Sequence, residues 1–212
     1  MKIDTIVVHH SGGLQENPNA STAWLTVGAI DRSHQARWPN FKSEMGFWVG
    51  YNFVILPNGE VTQTRLVGEE TAHTIGMNTR SIGICIIGNA NSVSGRPIDT
   101  ITPEAIKSYR QLIKDIENKN VKIKDGTNLD ISRNRIYPHR AFSQTDCYGT
   151  YYSDSWCRDI LRDKPKLSIN VIIQIYLLLK KLHGEQRALS ELKKIISAIG
   201  SIQNDRDCSG NI

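Results

Sequence analysis

One short stretch, SIGICIIG at residues 81–88, limits what this chain can fold into more than any other. It is a short, continuous apolar run that ends at a glycine, which is typical of a strand buried on both faces at the centre of a sheet. With 212 residues and 39% hydrophobic side chains, the chain can bury most of its apolar surface without disulfide staples. We therefore expect a domain with this strand in its core.

Further elements are indicated on the N-terminal side of this run. Residues 3–9 are rich in Ile and Val and predict a strand, while residues 22–37 predict a helix with Ser21 or Thr22 as its cap. The stretch GYNFVILPNGEVTQTR, residues 50–65, predicts a hairpin with PNG as its turn. A strand, a helix and a hairpin are thus expected before the central strand.

The segment TPEAIKSYRQLIKDIENK, residues 102–119, predicts a helix on the C-terminal side. It begins with a Thr cap and a Pro at the first helical position, and its apolar residues recur at helical spacing. RIYPH, residues 135–139, then predicts a short strand that ends at His139. Strands and helices in this mixed order indicate the α/β class, with a central mixed β-sheet flanked by helices.

The character of the chain changes after RDKPK, residues 162–166, where two apolar stripes follow at helical spacing. The stripes comprise Val171, Ile172, Ile175, Leu178, Leu179 and Leu182, and then Leu189, Leu192, Ile195, Ile196 and Ile199. The pair HG at 183–184 looks like a helix stop, so we expect a C-terminal helical hairpin over roughly 168–200. We divide the chain into a main domain, residues 1–164, and a helical extension, residues 165–212. The stripes of the extension need a partner, which is the other stripe, the main domain or another subunit.

Composition and charge limit the classes of binding partner and the cell compartment that are expected for this chain. A formal net charge of +5 and a pI near 9.0 suit polyanions such as nucleic acid, anionic lipid or acidic cell-wall polymers, and do not choose among them. Four irregularly spaced cysteines are too few for a disulfide framework in a chain this long. The N-terminus lacks the pattern of a secretory signal, so we expect synthesis in a reducing cytosol. The most apolar stretch, INVIIQIYLLL, is too short to predict a transmembrane helix.

Histidines at predicted strand ends are the first candidates for chemistry. His9 and His10 end the first strand, where α/β proteins commonly build sites, and their side chains should point to opposite faces. His139 also follows a strand, and Cys147 lies one loop further on. Two imidazoles and one thiolate suit Zn²⁺ and leave a fourth coordination position open. From spacing alone, a structural or surface role for either histidine stays open, as does a bridge between Cys147 and Cys157.

Four motifs occur in an order that resembles a known family. They are VVHHS (7–11), VGYNFVILPNGEVTQTR (49–65), AHTIGMNTRSIGICIIG (72–88) and PHRAFSQTDCYG (138–149). With these motifs the chain resembles the zinc-dependent N-acetylmuramoyl-L-alanine amidases of type 2, which share a fold with the peptidoglycan-recognition proteins. The likeness covers about residues 3–160 and is strongest to the small phage endolysins of that family.

Carried over residue by residue, the resemblance implies that His9, His139 and Cys147 are the zinc ligands. Tyr51, in GYNF, matches the family tyrosine beside the metal, and Thr145 occupies a position that holds Lys in some relatives and Thr in others. Both are expected to donate hydrogen bonds to the tetrahedral oxyanion of amide hydrolysis. These two residues are therefore the predicted catalytic side chains.

Other positions are assigned less fully by the resemblance. His73 and Asn78 match positions that line the substrate groove, with loop capping and turn formation as the alternative for both. Cys85 stands where some relatives carry a glutamate, so no strong general base can be named. Cys85 itself is expected to be a buried apolar filler. Tyr148 replaces a family proline, which predicts a looser loop after Cys147.

The resemblance implies a zinc hydrolase that cleaves the amide between N-acetylmuramic acid and L-alanine in peptidoglycan. A phage endolysin, acting on the cell wall after release at host lysis, is the expected context. Zn²⁺ is the implied cofactor and peptidoglycan the implied partner; no nucleic-acid partner is expected, and the C-terminal helices offer a surface for a homo-oligomer. Three alternatives stay open: a non-catalytic recognition module, a cytosolic muropeptide-recycling amidase, and a structural protein with Cys147 and Cys157 oxidised together. Cys147 argues against the recognition module, because that class often carries Ser there.

Overall fold

The computed structural model describes residues 1–162 and 169–194. The chain divides into two compact units, Met1–Leu161 and Arg162–Ile212. The strands are β1 (Lys2–Ile3), β2 (Thr5–His10), β3 (Phe53–Ile55), β4 (Val61–Gln63), β5 (Ser81–Ile86), β6 (Ser92–Val93), β7 (Arg96–Pro97), β8 (Asn128–Leu129) and β9 (Ile136–Pro138). The helices are α1 (Val27–Arg37), α2 (Pro103–Glu117), α3 (Trp156–Asp159), α4 (Ile169–His183) and α5 (185–194).

A mixed five-stranded sheet forms the centre of the first unit, in the order β4-β3-β5-β2-β9. The β3–β4 pair is the antiparallel hairpin predicted from residues 50–65, and the other pairs are parallel. All six residues of β5 and all six of β2 are buried, so the prediction of a central buried strand at 81–88 is confirmed. The predicted α/β class with a mixed central sheet is confirmed with it.

Helices cover both faces of this sheet. On one face α2 contributes a buried stripe that includes Ile106, Tyr109 and Ile113, and it packs into the larger core with Ile84 of β5. The predicted Thr cap is confirmed, because the Thr102 side chain accepts a hydrogen bond from the first turn of α2. The other face carries a smaller apolar cluster. It comprises Ile30 of α1 together with Val49, Val54, Cys85 and Ile87.

Helix α1 starts five residues later than the sequence predicted. It begins at Val27 with Thr26 as its N-cap, not at residue 22. Ser21 donates a hydrogen bond from its hydroxyl to Asp99, and Thr22 donates to the same carboxylate from its backbone amide. Ser and Thr form hydrogen bonds within loops as readily as they cap helices, so their presence at 21–22 does not by itself locate the start of a helix.

The second unit contains α4 and α5 in its described part. Gly184 lies between them with φ +79°, a left-handed conformation that favours glycine, so the predicted helix stop at 183–184 is confirmed. Glu185 receives hydrogen bonds from Tyr176 and Lys180 across this junction. Three residues of the second predicted stripe, Ile195, Ile196 and Ile199, lie outside the described residues. Among the described helices, none is long and apolar enough to cross a membrane.

Candidate metal centre

Parallel strands deliver two histidines to the same edge of the sheet. The register of β2 and β9 pairs Val8 with Pro138, which brings the next residues, His9 and His139, level with each other. Their ring centroids lie 4.5 Å apart. His9 of β2 also pairs with Cys85 of the neighbouring strand β5, so the two side chains lie on the same face of the sheet. The side chain of His10 points to the opposite face. The His10 Nδ1 accepts a hydrogen bond from the Ala90 amide, a local structural role.

The loop after β9 brings Cys147 to these two histidines. One potential ligand atom from each of His9, His139 and Cys147 lies within 4.8 Å of the others. The His9 Nδ1 is 3.5 Å from the Cys147 Sγ. With bond lengths of about 2.0–2.1 Å to nitrogen and about 2.3 Å to sulfur, a tetrahedral zinc would separate two such ligands by roughly 3.5 Å. The donor set and its spacing therefore fit Zn²⁺.

Burial sets the protonation of this cluster. It lowers the pKa of His9 well below 6.5, with His73 and His139 adding to the effect, so the imidazole is neutral. It also raises the pKa of the Cys147 thiol to about 12, against the opposing effects of a hydrogen bond to the His10 backbone and of Arg140. Neutral imidazole and thiolate are the metal-binding forms. A divalent cation would thus supply the positive charge that the Cys147 thiolate needs.

Tyr51 stands beside the cluster, as the resemblance implied. Its ring centroid is 5.1 Å from that of His9. Burial raises the pKa of Tyr51 well above 10, and the neighbouring thiols of Cys85 and Cys147 raise it further, so its hydroxyl stays protonated. Cys85 is fully buried, in agreement with its predicted role as a filler, and its interaction with the Tyr51 hydroxyl also favours the protonated phenol by raising its pKa. Tyr51 is therefore a neutral hydrogen-bond donor beside the ligands.

Thr145 and the two predicted groove residues also lie in this region. The Thr145 hydroxyl accepts a hydrogen bond of 3.3 Å from the Cys147 amide, so its own proton is left to donate. The Asn78 Oδ1 accepts from the amides of His73 and Thr74, which is the loop-capping alternative of the sequence analysis. His73 is buried and its Nδ1 lies 3.0 Å from the His9 Nε2. A substrate-binding role for His73 and Asn78 stays a prediction.

Three residues that the sequence analysis did not single out hold the segment before Tyr51. The Asp31 carboxylate accepts hydrogen bonds from the amides of Trp48 and Val49, and the His34 Nδ1 accepts from that of Gly50. The buried Arg65 donates to the carbonyl oxygens of Val49, Glu70 and Phe41. The only sequence signals for them are a polar pair three residues apart, Asp31 and His34, and the arginine that ends VGYNFVILPNGEVTQTR at residue 65.

The loop after Cys147 is anchored, so the prediction of a looser loop was wrong. The Tyr148 ring is 1% exposed, and its hydroxyl donates a 2.6 Å hydrogen bond to the Ser153 carbonyl. The Arg140 guanidinium lies over this ring, 5.3 Å from its centroid. A buried aromatic side chain here replaces the rigidity that a proline would give. Cys157 is free and buried, and its thiol hydrogen-bonds the Ile136 carbonyl, so the structure contains no bridge to Cys147.

Known proteins are similar to this chain in sequence. The family model described as N-acetylmuramoyl-L-alanine amidase matches residues 1–150. The chain belongs to this family. It is 30% identical over 151 residues to the peptidoglycan-recognition protein SC1a/b of Drosophila simulans, covering 68% of this chain and 67% of that protein. An endolysin of Klebsiella phage KP32 is 30% identical over 69 residues, which cover 32% of this chain and 45% of the endolysin.

Solved structures of amidases share the fold. The N-acetylmuramoyl-L-alanine amidase LysC from Clostridium intestinale URNW superposes with a TM-score of 0.51 at 24% identity, covering 75% of this chain and 85% of LysC. The Ph2119 endolysin of a Thermus scotoductus MAT2119 bacteriophage gives a TM-score of 0.50 at 16% identity, covering 77% and 87%. At these identities the likeness establishes the fold alone, which is the type 2 amidase fold implied by the four sequence motifs.

Proposed function

We propose that the protein is a zinc hydrolase that cleaves the amide bond between N-acetylmuramic acid and L-alanine in peptidoglycan. The observation that carries this proposal is the convergence of His9, His139 and Cys147 at one edge of the sheet. One potential ligand atom from each lies within 4.8 Å of the others, and the His9 Nδ1 is 3.5 Å from the Cys147 Sγ. Membership of the N-acetylmuramoyl-L-alanine amidase family supports the same bond as the target.

In this proposal His9, His139 and Cys147 hold the metal, and two further side chains act on the substrate. When bound, zinc supplies a Lewis acid that polarises the amide carbonyl and makes water nucleophilic near neutral pH. Tyr51 keeps its proton and can donate it in a hydrogen bond to the oxygen that becomes negative. Thr145 can also donate its hydroxyl proton, because its oxygen already accepts from the Cys147 amide. One such donor commonly lowers the barrier by about 3–4 kcal/mol.

A recognition module without activity is the second candidate, because one relative in the comparison is a peptidoglycan-recognition protein. The Cys147 thiol favours the hydrolase, since a module that only binds peptidoglycan has no need of a thiolate beside two neutral imidazoles. Turnover separates the two candidates. Zinc content separates the hydrolase from a purely structural protein.

The decisive experiment measures cleavage of purified polymeric peptidoglycan by the zinc-loaded protein. The proposal predicts release of L-alanine amino termini without new reducing sugar ends, loss of this release after chelation, and its return with added Zn²⁺. Binding to the polymer without any release would favour the recognition module instead. The same assay with small soluble muropeptides tests the recycling amidase, which would prefer them to the intact polymer.

We further propose that the protein is a bacteriolytic phage endolysin that acts on the cell wall after its release at host lysis, with peptidoglycan as its partner. Lysis of intact sacculi by added protein is the expected result, and activity confined to soluble fragments would contradict it. The extension, residues 165–212, is proposed to cover apolar surface or to join two subunits. Its deletion should then cause aggregation or a smaller assembly in light scattering, whereas a soluble, fully active truncation of unchanged oligomeric state would count against both roles.

A further inference from the structure

A chain of hydrogen-bonding groups leads away from the metal ligands into the loop between β4 and β5. The His9 Nε2 lies 3.0 Å from the His73 Nδ1, and the His73 Nε2 lies 3.3 Å from the Ser81 Oγ. The Ser81 hydroxyl in turn is 2.7 Å from the backbone carbonyl of Met77. Each imidazole thus uses both of its nitrogens, and the chain ends on a group that can only accept.

The carbonyl at the end of this chain fixes where each proton lies. Because the Met77 carbonyl can only accept, the single Ser81 hydroxyl proton points to it, and the Ser81 oxygen must accept from the His73 Nε2. His73 is deeply buried, and its ring nitrogens face His9, Thr74 and Ser81 with no carboxylate among them, so its ring is neutral and carries one proton. With that proton on Nε2, the Nδ1 is an acceptor and receives the proton of the His9 Nε2.

The position of these protons determines which nitrogen of His9 is free to bind a metal. His9 is also buried and has no carboxylate beside its ring, so it carries one proton. With that proton on Nε2, Nδ1 is bare, and this is the nitrogen that faces the Cys147 Sγ at 3.5 Å. Thr74 does not change this outcome. Its hydroxyl lies 2.8 Å from the His73 Nδ1 and 3.4 Å from the His9 Nε2, so it can donate to the first nitrogen and accept from the second.

The central strand, β5, leaves room for the His73 ring within this series of hydrogen bonds. A Cβ at Gly83 would stand 2.4 Å from the His73 Cδ2 and 2.9 Å from its Nε2. The imidazole therefore lies directly on the backbone of β5, where any larger residue would displace it. A glycine inside a buried strand often marks such a close approach.

We propose that His73 and Ser81 are positioning residues that hold His9 in the tautomer protonated on Nε2, and so present its Nδ1 to the metal. The zinc-affinity part of this inference rests on the proposed function, whereas the tautomer part does not. Residues that orient a metal-ligating histidine through its other nitrogen commonly change metal affinity 10–100-fold, roughly, when they are replaced. This role uses both nitrogens of His73, and it differs from the groove-lining role that the family resemblance implied.

The test compares Ser81→Ala with Thr71→Val in the full-length protein. Both remove one hydroxyl that donates to a carbonyl of the same loop, at Met77 and at Asn78, but only Ser81 also accepts from His73. The first readout is the His9 tautomer in metal-free protein, from long-range proton–nitrogen NMR correlations that are assigned with a His9→Gln variant. The second is the Zn²⁺ dissociation constant, from competition with a chromogenic chelator.

The native protein and Thr71→Val should contain His9 protonated on Nε2 and should bind zinc within about twofold of each other. Ser81→Ala should give a mixture of tautomers and bind zinc roughly 10–100-fold more weakly, and Ser81→Thr should restore both readouts. His9 protonated on Nδ1 in the native protein would overturn the proposal, as would native-like readouts in Ser81→Ala. If Ser81→Ala does not fold, the native tautomer and Ser81→Thr still decide. A native protein that has the expected tautomer but lacks zinc or cleavage would contradict the proposed function instead.

Discussion

Replacing Gly83 by alanine is the sharpest perturbation of the site that the structure offers. The added Cβ would lie 2.4, 2.7 and 2.9 Å from the Cδ2, Cγ and Nε2 of His73. Ordinary contacts between carbon atoms are about 3.5–4.0 Å, so the overlap is roughly 1 Å. The strand cannot withdraw, because the amide and carbonyl of Gly83 are both hydrogen-bonded to Asn52 at 2.9 Å. The imidazole is held in turn by His9 and Ser81.

Overpacking of this kind typically lowers the free energy of unfolding by about 1–3 kcal/mol. We expect that loss for Gly83→Ala in urea denaturation of metal-free protein, as a lower midpoint with an unchanged slope. The matched control is the same change in a His73→Ala background, where the imidazole that the new Cβ would overlap is absent. There, alanine should be neutral or should stabilise the protein by up to about 1 kcal/mol, because glycine weakens a strand. Additive effects of the two substitutions would refute the steric account.

Three further predictions follow from the site and its supports. Tyr51→Phe should lower kcat roughly 10²–10³-fold at unchanged zinc affinity, and an unchanged kcat would exclude its role as a donor. Burial lowers the pKa of His34 from 6.5 to about 4, so the unfolded state takes up a proton first and native stability should fall as the pH drops through that window. His34→Gln, which can still accept from Gly50, should lose less stability over the same window; an equal loss would contradict this. Burial opposes ionisation of Asp4, but hydrogen bonds from Thr5, Arg80 and Arg135 outweigh it and hold its pKa below 3.8. Asp4→Asn should therefore be less stable than native protein at neutral pH, with a difference that shrinks below pH 3.8; a difference independent of pH would contradict this.

Much of the sheet domain could be predicted because its signals are local. The apolar run at 81–88 and the capped segment at 102–119 each specify one element by periodicity and burial, and both elements are present. The meeting of His9 and His139 could also be expected, because parallel strands carry residues that follow them to one edge. That Cys147 joins these two histidines could be expected only from the family resemblance. Cys147 lies eight residues after His139 in a loop, and a loop has no periodicity that predicts its course.

The supports of the site could not be predicted, because they join residues that are distant in sequence. Arg65 donates to backbone carbonyls in two different loops, at Phe41 and Val49 before β3 and at Glu70 after β4, and nothing in its own neighbourhood indicates which carbonyls will face it. Tyr148 was expected to loosen a loop that it anchors, because the space that buries its ring exists only in the folded structure. The role of Gly83 had a local signal, a glycine within a buried strand, but the ring that it accommodates comes from another segment.

The most direct test of the account is the zinc content and X-ray absorption spectrum of freshly purified, reduced protein. The account predicts about one zinc per chain, with one sulfur ligand at about 2.3 Å and nitrogen or oxygen ligands at about 2.0–2.1 Å. The sulfur contribution should vanish in Cys147→Ser, together with cleavage of peptidoglycan. A native protein that takes up no zinc, or whose bound zinc has no sulfur ligand, would contradict the claim that His9, His139 and Cys147 hold one metal.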